Sequence, residues 1–349
     1  MPSESVFEKL DRISRKGYPT IASIEVTTRC NARCGYCYVK DNSINELTTE
    51  ELCAAIEKLS QNGVFRLHIT GGEPFLRSDI LDVFAFAMSH GIFSCTLFSN
   101  GMLLTEKHLD FLIKNRDFFK HMQMSVFSHD PAKNDAYFGV PGALDTIIKN
   151  ALFLTNNGLK VSFAMSILDF NIDQLAETRN FFEERGFPVL LSFFKLITDA
   201  RIENHLAKSI SRPFFKRYFQ NIHPEEFETF KKAMKEFLNT PIDNNASLCY
   251  GRWNSIFMNA QGDLAPCLSF RNMKFGNIFE DNPVHEILQR TPDYHLVCAC
   301  KKTDFKQCLS CKFFNFCSIC LGVIHTETNS LCSVDAQMCN FAQALYELI

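Results

Sequence analysis

Residues 28–38 read TRCNARCGYCY and place three cysteines on one short loop. Cys30, Cys34 and Cys37 are separated by three and then two residues, and no fourth cysteine follows before Cys53. Iron–sulfur clusters ordinarily take four cysteine ligands, so three thiolates would leave one iron open to another ligand. A structural zinc site is the alternative, but it wants four ligands and usually contains C-x2-C pairs. The spacing therefore favours an iron–sulfur cluster with one open iron.

The sequence around this loop alternates short apolar runs with longer amphipathic segments, which predicts βα units around a parallel sheet. The first helix is the clearest, because Thr48 and Glu51 form a capping box ahead of its apolar positions. Six units cannot close an eight-stranded barrel, so we expect a partial (β/α)6 TIM-like barrel with one open side. The predicted strands are Ile21–Thr27, Phe65–Thr70, Ile92–Phe98, Met122–Phe127, Lys160–Ile167 and Val189–Lys195.

Chemistry-bearing residues follow these predicted strands, where barrel proteins place their sites. Gly71-Gly72-Glu73-Pro74 follows the second strand, Ser99-Asn100-Gly101 follows the third, and Ser125 lies near the end of the fourth. The glycines would let the backbone approach a ligand, and the carboxylate would suit an ammonium group. Each turn alone could be an ordinary strand end, so the prediction rests on their joint placement.

The last third of the chain differs in composition. Residues 201–245 mix aromatic and charged side chains around a predicted helix at Glu225–Leu238, and we interpret them as a bridge. Ten of the fifteen cysteines lie beyond it. Ser255–Met258 and Leu264–Cys267 are predicted to form a hairpin with Gly262 at its turn, and the remainder is predicted to be loop-like. The predicted organisation is an extension (1–20), a barrel (21–200), the bridge and a small cysteine-rich, loop-rich domain (246–349).

Composition and charge narrow the class of function. The chain has 36 basic and 39 acidic side chains, a formal net charge of −3, which argues against binding to nucleic acid. No stretch approaches the roughly 18 consecutive apolar residues of a membrane span. Fifteen thiols in a chain without a secretion signal indicate metal binding in a reducing compartment, so we predict a cytoplasmic protein without a membrane partner.

The C-x3-C-x2-C loop, with Tyr36 as the aromatic residue before its last cysteine, resembles the signature of the radical S-adenosylmethionine (SAM) enzymes. The resemblance implies a 4Fe-4S cluster on Cys30, Cys34 and Cys37 whose open iron chelates SAM. It also implies reductive cleavage of SAM to a 5′-deoxyadenosyl radical and hydrogen-atom abstraction. The SAM contacts that the resemblance implies are Tyr36, Gly71, Gly72, Glu73, Pro74, Ser99, Asn100 and Ser125.

The C-terminal cysteines are similar to the SPASM extension of radical SAM enzymes that modify peptides and proteins. The matching pattern is Cys249, then Gly262-x4-Cys267, then Cys308-x2-Cys311-x5-Cys317-x2-Cys320, then Cys339. The third gap of that run has two residues, where the pattern more often has three. The cysteine-rich segment taken alone also fits a pair of zinc sites, with Cys308/Cys311 and Cys317/Cys320 as the ligand pairs.

The SPASM resemblance implies two auxiliary 4Fe-4S clusters, and therefore three clusters in all. Cys249, Cys267 and Cys320 would hold one auxiliary cluster, and Cys308, Cys311, Cys317 and Cys339 would hold the other. Some relatives supply a fourth ligand to the first set six residues after its first cysteine, where this chain has Ser255. That cluster then has an open iron or takes Cys298, Cys300 or Cys332.

The resemblance implies a maturase that forms a thioether or carbon–carbon cross-link, or another modification, in a ribosomally made peptide or protein. Alternatives are an anaerobic sulfatase maturase, a small-molecule radical SAM enzyme and, from a different class, a zinc-stabilised interaction module. Sulfatase maturases carry an aspartate where this chain has Leu268. About twenty residues precede the predicted barrel, so we expect a separate leader-recognition protein or direct docking. The implied reductant is a flavodoxin or ferredoxin, and no catalytic acid or base is identified.

Overall fold

The computed structural model shows one mixed sheet with helices packed against it. It describes residues 18–37, 39, 45–192, 211–238, 248–249, 254–317, 319–334 and 336–348. Six strands run parallel to their neighbours, as predicted, and the order across the sheet is β6-β5-β4-β3-β2-β1-β7-β8. The strands are β1 Ile21–Glu25, β2 Arg66–Thr70, β3 Ser94–Ser99, β4 Phe119–Val126, β5 Val161–Ser166, β6 Val189–Ser192, β7 Ser255–Met258 and β8 Leu264–Ala265.

The predicted partial barrel is therefore confirmed, and the sheet is wider than predicted. The C-terminal hairpin forms as expected, with β7 antiparallel to β8. Its first strand also pairs in parallel with β1, from Ile21 opposite Ser255 to Ile24 opposite Met258. The hairpin thus covers the edge of β1 that six strands alone would leave open. The predicted end of the sixth strand, Phe193–Lys195, lies outside the described residues.

The helices of the barrel alternate with its strands and bury one face of the sheet. The capping box predicted for the first helix is present, with Thr48 and Glu51 each accepting from the other's backbone. The helices are α1 Thr49–Gln61, α2 Ile80–Ser89, α3 Glu106–Lys114, α4 Pro131–Phe138, α5 Ala143–Asn156 and α6 Leu175–Glu183. On β4, Met122, Met124 and Val126 are fully buried. Because side chains alternate along a strand, Gln123 and Ser125 lie on the opposite, inward face of the barrel.

Several helices lie where none was predicted. α4 follows Asp130, whose side chain caps the helix ahead of Pro131. The bridge contains α7 Arg212–Asn221 in addition to the expected helix, α8 Pro224–Leu238. The cysteine-rich end is more helical than its predicted loop-like character. It contains α9 Val284–Gln289, α10 Pro292–Ala299, α11 Leu321–Thr328 and α12 Ala336–Leu348. The first three of these helices have only six to eight residues, too few for a clear helical periodicity in the sequence.

Candidate functional site

The first three cysteines lie on the loop that leaves β1, and all three are half-buried. Burial raises the pKa of the Cys30 thiol to about 11 and that of Cys34 further, and the neighbouring thiols add to both increases. The three sulfurs are therefore close enough to interact electrostatically. Cys30 Sγ also accepts a hydrogen bond from the Ala32 N–H at 3.4 Å. Three thiols on one loop, with a backbone donor to sulfur, suit an iron–sulfur cluster with one open iron.

Two glycines hold this loop against the end of β2. The Gly72 N–H donates to Thr27 O at 2.7 Å, and the Glu73 N–H donates to Arg29 O at 2.8 Å. A Cβ on Gly72 would lie 2.1 Å from Arg29 O, and one on Gly71 would lie 2.5 Å from Thr27 O. The missing side chains thus allow contact between two backbone segments of the protein. An approach of this turn to a ligand stays a prediction.

The Glu73 carboxylate is enclosed by protein donors, and the side chain is 0% exposed. It accepts from Ser99 Oγ at 2.8 Å, from the Asn100 N–H at 2.7 Å and from the Phe75 N–H at 3.2 Å. Burial raises the pKa of this carboxyl to about 7, although the three hydrogen bonds favour its ionised form. We expected the carboxylate to meet a ligand ammonium group. In the structure the carboxylate joins the ends of β2 and β3, and its contact with an ammonium group stays a prediction.

The turn after β3 also reaches the cysteine loop. Asn100 Nδ2 donates to Asn31 Oδ1 at 2.8 Å and approaches Cys30 Sγ at 3.8 Å. Pro74 is buried and begins a short 3-10 turn. Ser125 lies on the inward face of β4, opposite Ala164 of β5. The structure therefore brings the second and third strand ends to the first cysteine loop, and a role of Ser125 at this loop stays a prediction.

Two charged residues that the sequence analysis missed join the two ends of the cysteine loop. Glu46 Oε1 accepts from Thr27 Oγ1 and from the Thr28 N–H, both at 2.7 Å. Burial alone would raise the Glu46 pKa, but these hydrogen bonds lower it. Arg77 is 5% exposed, and its Nη1 donates to Val26 O and Leu47 O, each at 3.0 Å. The one sequence signal for a role of Arg77 at the site was its position three residues after Pro74.

Tyr36 packs on the barrel end through its ring. Its hydroxyl hydrogen-bonds to the Ser166 side chain, and burial raises its pKa well above the ordinary value. The ring meets Phe127 edge-on at 5.5 Å and stacks on Tyr137 at 6.1 Å between centroids. Tyr137 belongs to α4, whose Phe138 carbonyl accepts from the Arg33 N–H at 2.9 Å. A contact between Tyr36 and SAM stays a prediction.

The second cysteine region contains one group around Cys267. Burial raises the pKa of Cys267 to about 11, and the nearby thiols of Cys249 and Cys320 contribute. Cys320 precedes α11, where a Cβ on Gly322 would lie 2.5 Å from Ser269 Cβ and 2.7 Å from Ser269 O. This close approach of backbones, two residues after each cysteine, brings Cys320 to Cys267. The same three residues form the first auxiliary set that the sequence pattern implied.

The other group surrounds Cys317. Burial raises the pKa of Cys317 to about 12, with contributions from Cys339, Cys308 and Cys311 in that order. Tight turns hold the run, since the Cys311 N–H donates to Cys308 O at 2.9 Å. These are the four residues of the second implied set, and their role as ligands stays a prediction. Within the described ranges, no three His, Cys, Asp or Glu side chains are arranged to hold a single metal ion.

A buried ion pair connects this region to the barrel. Glu25, at the end of β1, is 0% exposed and accepts from Arg271 Nε at 2.9 Å and from Arg271 Nη2 at 2.8 Å. Arg271 lies four residues after Cys267, and Glu25 lies five residues before Cys30. The pair therefore fixes the second cysteine region against the strand that leads into the first.

Family models match both regions. The radical SAM superfamily matches residues 24–182, and an iron–sulfur cluster-binding domain, SPASM, matches residues 249–312. The chain contains a radical SAM domain followed by a SPASM domain. These two domains imply SAM and 4Fe-4S clusters as cofactors. Cys30, Cys34 and Cys37 have the donor chemistry for an iron–sulfur cluster, and their role as ligands of the SAM-binding cluster stays a prediction.

The chain is similar to curated proteins of different activities. It is 23% identical over 309 residues to the antilisterial bacteriocin subtilosin biosynthesis protein AlbA of Bacillus subtilis, covering 86% of this chain and 67% of AlbA. It is also 23% identical over 354 residues to the AdoMet-dependent heme synthase of Nitratidesulfovibrio vulgaris, covering 92% of this chain and 95% of the synthase.

A solved structure confirms the fold. anSMEcpe, with bound AdoMet and the Cp18Cys peptide, superposes with a TM-score of 0.71 at 15% identity over 95% of this chain and 97% of that one. No helix in the described part of the chain has both the length and the apolar character needed to cross a bilayer.

Proposed function

We propose that this radical SAM enzyme is a maturase that abstracts a hydrogen atom from a ribosomally made peptide or protein. The product is a thioether or carbon–carbon cross-link, or another post-translational modification. The observation that carries the proposal is the Glu25–Arg271 pair, which joins the segment of Cys267 to the strand that leads into Cys30. A substrate radical formed near the first cysteine loop would then have an auxiliary iron–sulfur site on the adjoining segment to accept an electron.

In this proposal, Cys30, Cys34 and Cys37 hold the cluster that binds SAM. When bound, the cluster and SAM together supply the 5′-deoxyadenosyl radical. Glu46 and Arg77 fix the two ends of the loop, and Glu73 fixes the turn after β3 that contacts it. The proposed SAM contacts are Tyr36, Ser99, Asn100, Ser125 and the backbone of residues 71–74.

In the proposal, each of the two cysteine groups of the second region holds one auxiliary cluster. With the SAM-binding cluster, the protein then has three clusters. The first group has three thiols, and Ser255 of β7 stands at the place where some relatives carry a fourth. Ser255 Oγ donates to Pro266 O at 3.3 Å, directly before Cys267. An open iron in that cluster would suit a substrate thiol and hence thioether formation.

The inward face of the barrel supports a substrate with polar and flexible groups. It presents half-buried Ser23, His68, Thr96, Gln123 and Ser166 along successive strands. Burial lowers the pKa of His68, which favours the neutral imidazole. AlbA by its name takes part in making a peptide bacteriocin, and anSMEcpe was solved with a bound peptide. We propose the same substrate class here, with a leader-recognition partner and a flavodoxin or ferredoxin as the reductant.

A small-molecule substrate is the second candidate, because the heme synthase matches this chain over more of both lengths than AlbA does. The two candidate functions differ in their substrate. A tetrapyrrole enzyme would turn over a free iron–porphyrin precursor without any peptide. A peptide maturase would leave that compound unchanged.

The deciding experiment is anaerobic co-expression with the short reading frames beside the gene, followed by intact-mass measurement of each peptide. We expect one peptide to lose two hydrogens, and to keep them when the enzyme carries Cys34→Ala. The purified enzyme, reduced and given SAM, should also form 5′-deoxyadenosine far above the Cys34→Ala background. Absence of 5′-deoxyadenosine would contradict the enzyme assignment, and porphyrin turnover with unchanged peptide masses would favour the second candidate.

A further inference from the structure

A cavity of about 560 Å³ lies in the cysteine-rich region, outside both cysteine groups described above. Its walls come from α10, from the end of α11 and from the turn that follows α11. Cys300 and Cys332 both line it, and their sulfurs are 3.2 Å apart. Neither cysteine is among the three or four residues of the implied sets, although both were open as a fourth ligand of the first set and the Cys300 thiol lies near Cys249. Two thiols in direct contact beside a cavity form a site with its own chemistry.

The two thiols differ in access to solvent. Cys300 is 3% exposed, whereas Cys332 is exposed. Cys300 lies at the end of α10, where its N–H donates to Leu296 O at 3.0 Å and its carbonyl accepts from the Leu248 N–H at 3.4 Å. A reagent that enters the cavity therefore reaches Cys332 first and finds Cys300 behind it.

The backbone of the turn just before Cys332 is also held in place by hydrogen bonds. Asn329 ends α11 with φ +55°, and its N–H donates to His325 O at 2.8 Å. Thr328 Oγ1 donates to Ser330 O at 3.1 Å. A disulfide bond has an S–S length of about 2.05 Å, so the sulfurs need to approach by only about 1 Å. Side-chain rotation can supply such a movement without displacing either anchored backbone.

We propose that Cys300 and Cys332 form a thiol–disulfide exchange site for small disulfides. The Cys332 thiolate attacks one sulfur of the external disulfide, forms a mixed disulfide and releases the first thiol. The Cys300 thiolate then attacks the Cys332 sulfur, forms the Cys300–Cys332 bond and releases the second thiol. The protein dithiol is oxidised by two electrons, the external disulfide is reduced to two thiols, and the two protein protons leave with them.

The charges of the cavity select among such disulfides. Asp293 and Asp304 line it together with His325, and no lysine or arginine is among the described residues of its wall. A disulfide that carries ammonium groups is therefore attracted, and one that carries carboxylates is repelled. The proposal goes beyond the proposed maturase function and does not depend on it.

The test uses the reconstituted full-length protein, kept anaerobic and treated with cystamine as the cationic disulfide. Alkylation of remaining thiols, followed by peptide mapping, should show Cys300 and Cys332 joined to each other, with the loss of two hydrogens. Cys53, a half-buried cysteine on α1, should be found alkylated and serves as the internal control. The anionic reagent dithiodiglycolate should react at least tenfold more slowly at low ionic strength.

Two variants separate the roles of the thiols. Cys300→Ser should trap a cysteamine adduct on Cys332, because the second attack cannot occur. Cys332→Ser should leave Cys300 unmodified, because Cys300 is buried. Both variants should retain the iron and acid-labile sulfide of the wild type. Loss of iron in either variant would overturn the proposal, because it would show that the substituted thiol is a cluster ligand. The proposal would also be overturned if both cysteines of the cystamine-treated wild-type protein were found alkylated rather than joined. SAM cleavage, measured in parallel, tests the maturase proposal by itself.

Discussion

The two cysteine regions bring thiols together by different physical means. Hydrogen bonds from polar side chains hold the first loop, through the buried Glu73 and Arg77 and the half-buried Glu46. The second region relies on short helices, aromatic packing such as Phe313 and Phe316 against Tyr346, and the close backbone contact at Gly322. A loop held by buried hydrogen bonds is positioned before any cofactor binds. A region of short helices depends more on its metal, because metal binding supplies folding free energy to such segments.

The largest effect is expected at Gly72, where the first loop meets β2. Gly72→Ala places a methyl group 2.1 Å from Arg29 O, which must displace the backbone at Arg29. Arg29 lies two residues after Thr27, whose carbonyl accepts the hydrogen bond from the Gly72 N–H. Displacement of a catalytic group by about 1 Å can cost on the order of 100-fold in rate. We therefore expect 5′-deoxyadenosine formation to fall by about 100-fold or more.

Gly35→Ala is the matched control, because it adds the same methyl group to the same loop with its nearest neighbour, Tyr137 Oη, 4.0 Å away. It should retain most of the activity. Equal losses in the two variants would contradict the role given to the contact between Gly72 and Arg29.

Gly322 is the corresponding position in the second region. Gly322→Ala places a methyl group 2.5 Å from Ser269 Cβ and should separate Cys320 from Cys267. We expect the variant to lose the iron and sulfide of one cluster and to modify peptide about tenfold more slowly, or slower still. Its formation of 5′-deoxyadenosine without peptide should persist, since the first loop is untouched. Loss of SAM cleavage in step with peptide modification would show that the two regions are not separable.

Arg77→Ala tests whether polar groups hold the first loop. It leaves two buried carbonyls, Val26 O and Leu47 O, without this donor, whereas the half-buried Asp79 carboxylate still accepts from Thr49 Oγ1. Each buried acceptor that loses its donor costs about 1–3 kcal/mol, so we expect the unfolding free energy to fall by several kcal/mol. Arg217 offers a control, since it pairs with Asp169 and Asp173 at the surface.

Arg217→Ala should cost less than about 1 kcal/mol, because exposed ion pairs contribute little. Urea unfolding of the two variants under the same anaerobic conditions makes the comparison. Similar costs at Arg77 and Arg217 would mean that the carbonyls at the loop ends find other donors.

Much of the fold could be predicted from sequence, because its signals are local. The alternation of apolar runs predicted six strands, and the capping box at Thr48 predicted the start of α1. The grouping of Cys267 with Cys320, which are far apart in the chain, was implied only by the resemblance to the SPASM pattern. The spacing alone left a pair of zinc sites open.

The sequence could not predict which groups support the site. The hydrogen bonds from Ser99 and Asn100 that enclose the Glu73 carboxylate come from the end of another strand. The close contact of Gly72 is with Arg29 on the cysteine loop. Such roles follow from contacts between strand ends, and those contacts exist only after the barrel forms. The predicted ligand contacts of Glu73 and Gly72 stay predictions.

The smallest predicted effect is a pH dependence that Glu73 gives to the barrel end. Burial raises the pKa of this carboxyl to about 7 from 4.5. Between these two values the folded state binds more protons than the unfolded state, so stability falls as pH rises. From about pH 5.5 to about pH 8.5, Glu73 should lower the unfolding free energy by about 2 kcal/mol relative to a Glu73→Gln variant.

The measurement is the difference in unfolding free energy between wild type and Glu73→Gln at each pH. Glu73→Gln should lower the unfolding free energy by an amount that does not change with pH, because the glutamine NH2 group would face the Asn100 N–H, which now donates to the carboxylate. The slope of that difference with pH carries the information. A flat profile for Glu73→Gln would mean that the three donors keep the carboxylate ionised throughout, and that the first loop rests on a permanent charge.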